Sequence, residues 1–275
     1  MAVVTMTALA VLGGCDAPSR AGAGVGSVRL LYAGSLTRIM NSAIVEGFQT
    51  ATGGSLIAEP GPSDGQAEEI SGRTKQADVF LSAAPEANAR LIGAAHGDWE
   101  AWYASFAISP LVLGYTPQSR FAAALRAQPW SAVVTQPGFR LGNVDPRLHP
   151  KGNLAAQAMR QAGVNPATAI PSPEDELLAQ LQTGQLDAAF FYCTEAAQAD
   201  IPTVEVSGDT PLNATYTITV LTRAPNPTGG AALVSYLLGP AGSAILRSHG
   251  VQPIPPTLNG DPNAVPAQLR PLLNR

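Results

Sequence analysis

The sequence predicts an α/β protein organised on a parallel sheet, and three observations carry that prediction. Short apolar runs recur along the chain, each stopped by Gly, Pro or Asp. Between them lie segments whose apolar residues recur at helical spacing. The 275 residues are 45% apolar and 13% charged, which suits a buried core that needs no disulfide staples.

The elements follow in order. Val-Arg-Leu-Leu-Tyr-Ala at 28–33 reads as a buried strand stopped by Gly34 and Ser35. Through 37–50, Ile39, Met40, Ala43, Ile44, Gly47 and Phe48 recur at helical spacing, and Gly53-Gly54 closes the helix. A second strand at 56–58 meets the polar break 60–65. A helix at 66–71 and a third strand at 77–82 complete a strand–helix alternation typical of parallel sheets. The middle repeats the style, with strands at 111–115, 139–144 and 188–192 and helices at 154–162 and 174–183. A strand at 216–221 and helices at 229–238 and 242–249 follow. The tail from Gln252 holds six prolines, at 253, 255, 256, 262, 266 and 271, and is expected to run irregularly over the surface.

Charge and cysteine usage remove several function classes. Lys+Arg is 16 and Asp+Glu is 20, a net charge of -4, so the basic face that nucleic-acid binding needs is not expected. Two cysteines make neither a disulfide framework nor a four-cysteine zinc site, and His96, His149 and His249 show no metal-ligand spacing. No cofactor and no metal site are expected.

The first residues read as an address. The apolar run at 3–12 is too short to span a bilayer and suits the core of a signal peptide. Leu12-Gly13-Gly14-Cys15 resembles the bacterial lipobox, in which the cysteine is lipidated and becomes the mature N-terminus, so Cys15 is the expected lipidation site. No Lys or Arg precedes the run, a departure from the usual signal pattern. Small, polar residues at 16–27 read as a flexible tether to a membrane surface. Cys193 is then the one remaining thiol, and a nucleophilic role for it would need a base such as His149 beside it.

Tyr32-Ala33-Gly34-Ser35-Leu36-Thr37 and Ala77-Asp78-Val79-Phe80-Leu81-Ser82-Ala83 both resemble the molybdate/tungstate-binding proteins of bacterial and archaeal ABC importers. So do Asp98-Trp99, Trp102-Tyr103, Leu113-Gly114-Tyr115-Thr116-Pro117, Asp145-Pro146, Pro150-Lys151-Gly152, Gly184 to Tyr192, and Ser235-Tyr236-Leu237-Leu238 through Gly250. The ordered set carries the likeness, over roughly 28–256.

The resemblance implies a periplasmic-binding-protein type II fold, two α/β lobes with a ligand cleft between them. Lobe one would hold 28–108 plus 213–256, lobe two 109–212, and 257–275 would be the Pro-rich tail. It implies a non-enzymatic, extracytoplasmic, lipid-anchored binding protein, a monomer whose partners are molybdate or tungstate and an ABC permease. Alternatives are a binder of sulfate, phosphate or another small anion, and a sensor lipoprotein that takes no part in transport.

A tetrahedral oxyanion needs convergent donors, and neutral ones suffice: hydroxyls, loop amides and helix N-termini. On residue chemistry alone, Ser35 and Ser63 read as helix N-caps and Tyr192 as a core aromatic. The resemblance makes Ser35 and Ser63 the two anion-binding serines, Lys151 and Glu176 donors through their backbone amides, and Tyr192 the hydroxyl that completes the shell. Glu174-Asp175-Glu176 reads as a solvated helix face. The position before Tyr192, a glutamate in the archaeal type, is Phe191 here, so a tetrahedral anion held by hydrogen bonds is expected.

Overall fold

A computed structural model of the chain describes residues 24–206 and 212–273. The expected signal peptide, most of the tether and Cys15 lie outside the described residues. Ten strands are present among the described residues: β1 Ser27–Ala33, β2 Ser55–Gly61, β3 Val79–Ser82, β4 Trp102–Tyr115, β5 Leu141–Asn143, β6 Ile170–Pro171, β7 Ala188–Tyr192, β8 Thr203–Glu205, β9 Asn213–Val220 and β10 Gln252–Gly260.

They form two sheets that share β4. The first runs β2-β1-β3-β9-β4-β10, with β1 parallel to β2 and β3, and β9, β4 and β10 antiparallel to their neighbours. The second runs β8-β4-β7-β5-β6, with β5 parallel to both β7 and β6. The changeover falls within β4. It pairs with β9 as far as Pro110 and with β7 from Leu111 onward. Proline is confined in sheets to edges and irregularities, and here it marks the point where the strand leaves one sheet for the other. The fold is thus a two-lobed α/β fold whose lobes are joined through β4.

The elements form for local reasons. In β4 the burial pattern alternates over its first residues, as a strand with one face on the core requires. Helix Val45–Thr52 ends on Gly53, which takes the left-handed conformation (φ 66) that favours glycine. In the first lobe Phe48 packs edge-on against Tyr236 of helix Pro227–Leu238, ring centroids 5.9 Å apart; in the second, Trp130 meets Phe190 of β7 at 5.7 Å. Each lobe also uses a buried aspartate just ahead of a strand. Asp78, before β3, accepts from the Arg29 N–H of β1 at 2.7 Å. Asp187, before β7, accepts from the Arg140 N–H ahead of β5 at 2.9 Å.

The tail departs from expectation. Gln252–Gly260 is a strand on the edge of the first sheet, paired antiparallel with β4. Its register breaks between Pro253 and Thr257, so Pro255 and Pro256 sit in the irregularity, where a missing N–H costs no ladder bond. Beyond it, Val265, Leu269 and Leu273 are buried in the core.

Glu100, buried beside β4, accepts both hydrogen bonds offered by Asn88 Nδ2, at 3.1 and 3.0 Å. Burial pushes its carboxyl well above the usual range, although Asn88 opposes the shift. The folded state therefore holds a proton that the unfolded chain releases near about pH 4. Glu100 supports the fold below that pH, and its contribution is lost as pH rises toward the folded value. The Glu100→Gln variant is expected to be more stable than wild type at neutral pH and to lose that advantage below about pH 4; urea unfolding across pH checks both.

Candidate functional site

The first sheet delivers two serines to one place. β1 and β2 are parallel neighbours, with Ala33 opposite Gly61 in register. Ser35 and Ser63 each lie two residues beyond that pair, where the strands give way to helical turns: Gly34–Leu36 after β1 and helix Ser63–Ser71 after β2. Ligands of open α/β sheets bind at such carboxyl ends of strands. The second lobe presents the same kind of ends. Tyr192 closes β7, and Lys151 stands in the first turn of helix Pro150–Gln161, reached by the loop after β5.

These ends meet in a small cavity between the lobes, about 20 Å³, lined among others by Gly34, Ser35, Ser63, His149, Lys151, Glu174 and Tyr192. It shares Gly34, His149, Lys151 and Glu174 with an outer cleft of about 630 Å³. A Cβ added at Gly34 would meet only the Gly61 carbonyl oxygen, at 3.8 Å, so no protein atom demands glycine there. At Gly152 a Cβ would lie 2.5 Å from the Val144 carbonyl oxygen; glycine seats the start of helix Pro150–Gln161 against the loop that carries it.

The polar atoms of the cavity are unequally satisfied. Ser63, 2% exposed, accepts from the Ala83 N–H at 3.0 Å through its Oγ, which leaves its own proton to donate. Ser35 Oγ is 3.1 Å from the hydroxyl of buried Tyr216 in β9. Among the described residues the buried Tyr192 hydroxyl has no hydrogen-bond partner. Burial pushes it well above the usual phenol range, and Tyr216, Glu195 and Glu174 add to that.

Charge gathers on the second-lobe wall. Lys151 Nζ donates to both carboxylate oxygens of Glu195, at 2.9 and 3.0 Å, and lies 3.1 Å from Glu174 Oε1. Burial alone would push this ammonium down; Glu195 and Glu174 outweigh it, and Lys151 stands above the usual lysine value. His149 Nδ1 is 3.1 Å from Glu174 Oε2. Burial would raise Glu174, but His149 and Lys151 bring its carboxyl down to about 2. Glu195 also accepts from the Tyr192 N–H at 2.9 Å, tying the end of β7 to Lys151.

Four of the five candidates from the sequence, Ser35, Ser63, Lys151 and Tyr192, line this one cavity. Glu176 does not. Its side chain is exposed and its N–H donates to the Pro173 carbonyl at 3.2 Å, so that amide is already engaged. Glu174 lines the cavity instead, and the expected solvated acidic face is corrected at that residue by its contacts with Lys151 and His149. Sequence reasoning also missed Glu195 and Tyr216. Glu195 had a signal, since a glutamate three residues into a helix reaches back to the residue ahead of it; Tyr216 had none. Cys193 packs against the second-lobe core cluster that holds Leu177 and Phe191, whereas His149 faces Glu174.

Residues 28–252 match the family described as bacterial extracellular solute-binding protein. The chain belongs to that family. This solute-binding protein is 30% identical over 280 residues to an uncharacterized solute-binding protein of Halobacterium salinarum, covering 88% of the chain and 89% of the relative. A putative ABC transporter molybdenum-binding protein of Haloferax volcanii is 34% identical over 116 residues, 38% of each chain. Among solved structures, the Azotobacter vinelandii periplasmic molybdate-binding protein superposes with a TM-score of 0.65 at 17% identity, covering 82% of this chain and 98% of its own. A sulfate-binding protein of Mycobacterium tuberculosis gives 0.63 at 17%, covering 90% and 91%. The solute-binding protein therefore has the type II periplasmic-binding-protein fold, and that fold serves more than one anion.

Proposed function

We propose that this solute-binding protein captures a tetrahedral oxyanion, molybdate or tungstate, in the cavity between its lobes and delivers it to an ABC permease while tethered to the membrane through Cys15. One observation carries the reading: Tyr192, whose buried hydroxyl has no partner among the described residues, lines the same small cavity as Ser35 and Ser63 from the opposite lobe. A buried hydroxyl without a partner costs free energy, and a ligand that accepts from it recovers that cost.

In this reading Ser35 and Ser63 donate from the first lobe. The Lys151 amide, in a helix first turn whose N–H groups have no intrahelical acceptor, and the Tyr192 hydroxyl donate from the second. The cavity is small enough that the lobes must part to admit the anion, and the anion then bridges them, as in hinge closure. Donors spaced for the larger anions are left imperfectly paired by sulfate, which sets the preference. The partial likeness to the Haloferax relative supports the choice of molybdate or tungstate over sulfate or phosphate.

Calorimetric titration of the purified protein tests this, with molybdate and tungstate binding at least about tenfold tighter than sulfate or phosphate. Tyr192→Phe adds a prediction of opposite signs. Without ligand the variant unfolds at the same or a higher urea concentration, by up to about 1 kcal/mol, because an orphaned buried hydroxyl is gone. Its affinity for molybdate falls about tenfold or more.

A further inference from the structure

The first lobe carries a second cavity at the opposite end of its sheet. Ser35 and Ser63 stand beyond the carboxyl ends of β1 and β2, whereas Ala77 leads into β3, which runs parallel to β1. Leu221 follows β9, antiparallel to β3, and its N–H donates to the Asp78 carbonyl at 2.9 Å. Trp99 joins this end, its carbonyl accepting from the Thr222 N–H at 2.9 Å. The cavity measures about 610 Å³, and buried Ile70, Ala77 and Leu221 with half-buried Trp99 form its apolar wall. It shares no lining residue with the two cavities between the lobes. Two cations converge on that wall. The Arg223 guanidinium lies 4.0 Å from the centre of the Trp99 ring and that of Arg73 lies 5.8 Å away, within cation–π range. Arg73 stands there on a left-handed backbone (φ 59), a conformation uncommon outside glycine. Lys75, the third cation of the lining, is held by Glu59 and Glu69. Among the described residues neither Arg73 nor Arg223 forms a salt bridge. Arg223 gives one N–H to the Gly97 carbonyl at 3.0 Å, which leaves most of its fork unengaged, and Asp98 does not line the cavity.

We propose that this groove is a second binding site, for a small organic carboxylate with an apolar body. Arg73 and Arg223 take the carboxylate, and the wall of Ile70, Ala77, Leu221 and Trp99 takes the body. The planar guanidinium fork matches a carboxylate with paired N–H donors, and stacking on an indole leaves that edge open. The apolar body is driven in because its surface and the wall leave water together. Size argues for an organic ligand over an inorganic oxyanion. The volume lies in the range of small-molecule sites, whereas a tetrahedral oxyanion would fill little of it and leave the apolar wall wet. Place argues for independence from the cavity between the lobes, since the two sites sit at opposite ends of the first sheet. The groove is thus a site whether or not the other cavity holds an oxyanion.

The test is calorimetric titration of the purified protein with cinnamate and with cinnamamide, its neutral isostere. Cinnamate is expected to bind with a Kd below about 1 mM, and the amide at least about tenfold more weakly, because it lacks the charge that the two guanidiniums recognise. Cinnamate affinity is expected to fall as salt is raised and to stay unchanged when molybdate is present in excess. The double variant Arg73→Gln with Arg223→Gln changes two exposed side chains. It is expected to unfold at the wild-type urea concentration and to bind cinnamate no better than the amide. Equal affinity for acid and amide overturns the carboxylate role, and that comparison needs no variant to fold. Cinnamate binding that survives the double substitution, or that molybdate displaces, overturns the assignment to this groove. No cinnamate binding at concentrations up to about 1 mM overturns the proposal altogether and leaves the oxyanion reading untouched.

Discussion

Replacing Lys151 by methionine is expected to destabilise the protein by about 3–5 kcal/mol, the usual loss when one partner is removed from a buried ion pair. The Lys151 side chain is 4% exposed, and its ammonium holds Glu195 and Glu174 within 2.9–3.1 Å. Without it, two carboxylates face each other across a partly buried wall with only His149 to answer them. Glu195 also anchors the Tyr192 N–H, so the end of β7 loosens with the charge. Oxyanion affinity is expected to fall as well, because carboxylates left uncompensated on the cavity wall repel a dianion. Urea unfolding and titration calorimetry read the two losses separately. Pairing Lys151→Met with Glu195→Gln is expected to recover part of the stability, because only one buried charge then remains.

The second large effect belongs to Ser63. Its hydroxyl accepts from the Ala83 N–H and is proposed to donate to the anion, so it serves β3 and the ligand together. Ser63→Ala leaves a buried N–H without an acceptor, a cost of about 1–3 kcal/mol, and removes a charge-assisted donor of similar worth. The variant is therefore expected to be less stable even without ligand and to bind molybdate about 10–100-fold more weakly. Ser35→Ala shares only the binding loss, because its partner, the Tyr216 hydroxyl, can rotate toward another acceptor. The contrast between the two serines in the unliganded unfolding curves separates a shared structural role from a purely ligand-facing one.

The fold was legible in the sequence where a single period governs. The apolar run that forms β7 and the Gly-stopped run that forms β1 announce themselves, and so do the helices with full amphipathic stripes. β4 was only half legible. Leu111 to Tyr115 read as a strand, but the alternation from Trp102 to Pro110 did not, because Pro110 looks like a terminator and here marks the passage between sheets. β10 was misread for the same reason, its prolines being tolerated at an edge with a broken register. Of the candidate site, the parts on strand ends were legible: the register of β1 and β2 makes Ser35 and Ser63 neighbours, and β7 ends on Tyr192. The parts that depend on inter-element packing were not. Glu174, not Glu176, turns toward Lys151, a contact between separate helices that no periodicity encodes. Tyr216 reaches Ser35 across 181 residues of chain.

In the proposed function, one cavity between the lobes holds the anion. A crystal structure of the protein grown with tungstate tests it most directly, because tungsten locates itself by anomalous scattering. A single strong peak is expected, bounded by Ser35, Ser63, the Lys151 amide and Tyr192, with His149 close by. A cavity without such a peak, or a peak elsewhere such as the groove where Arg73 and Arg223 flank Trp99, would contradict it.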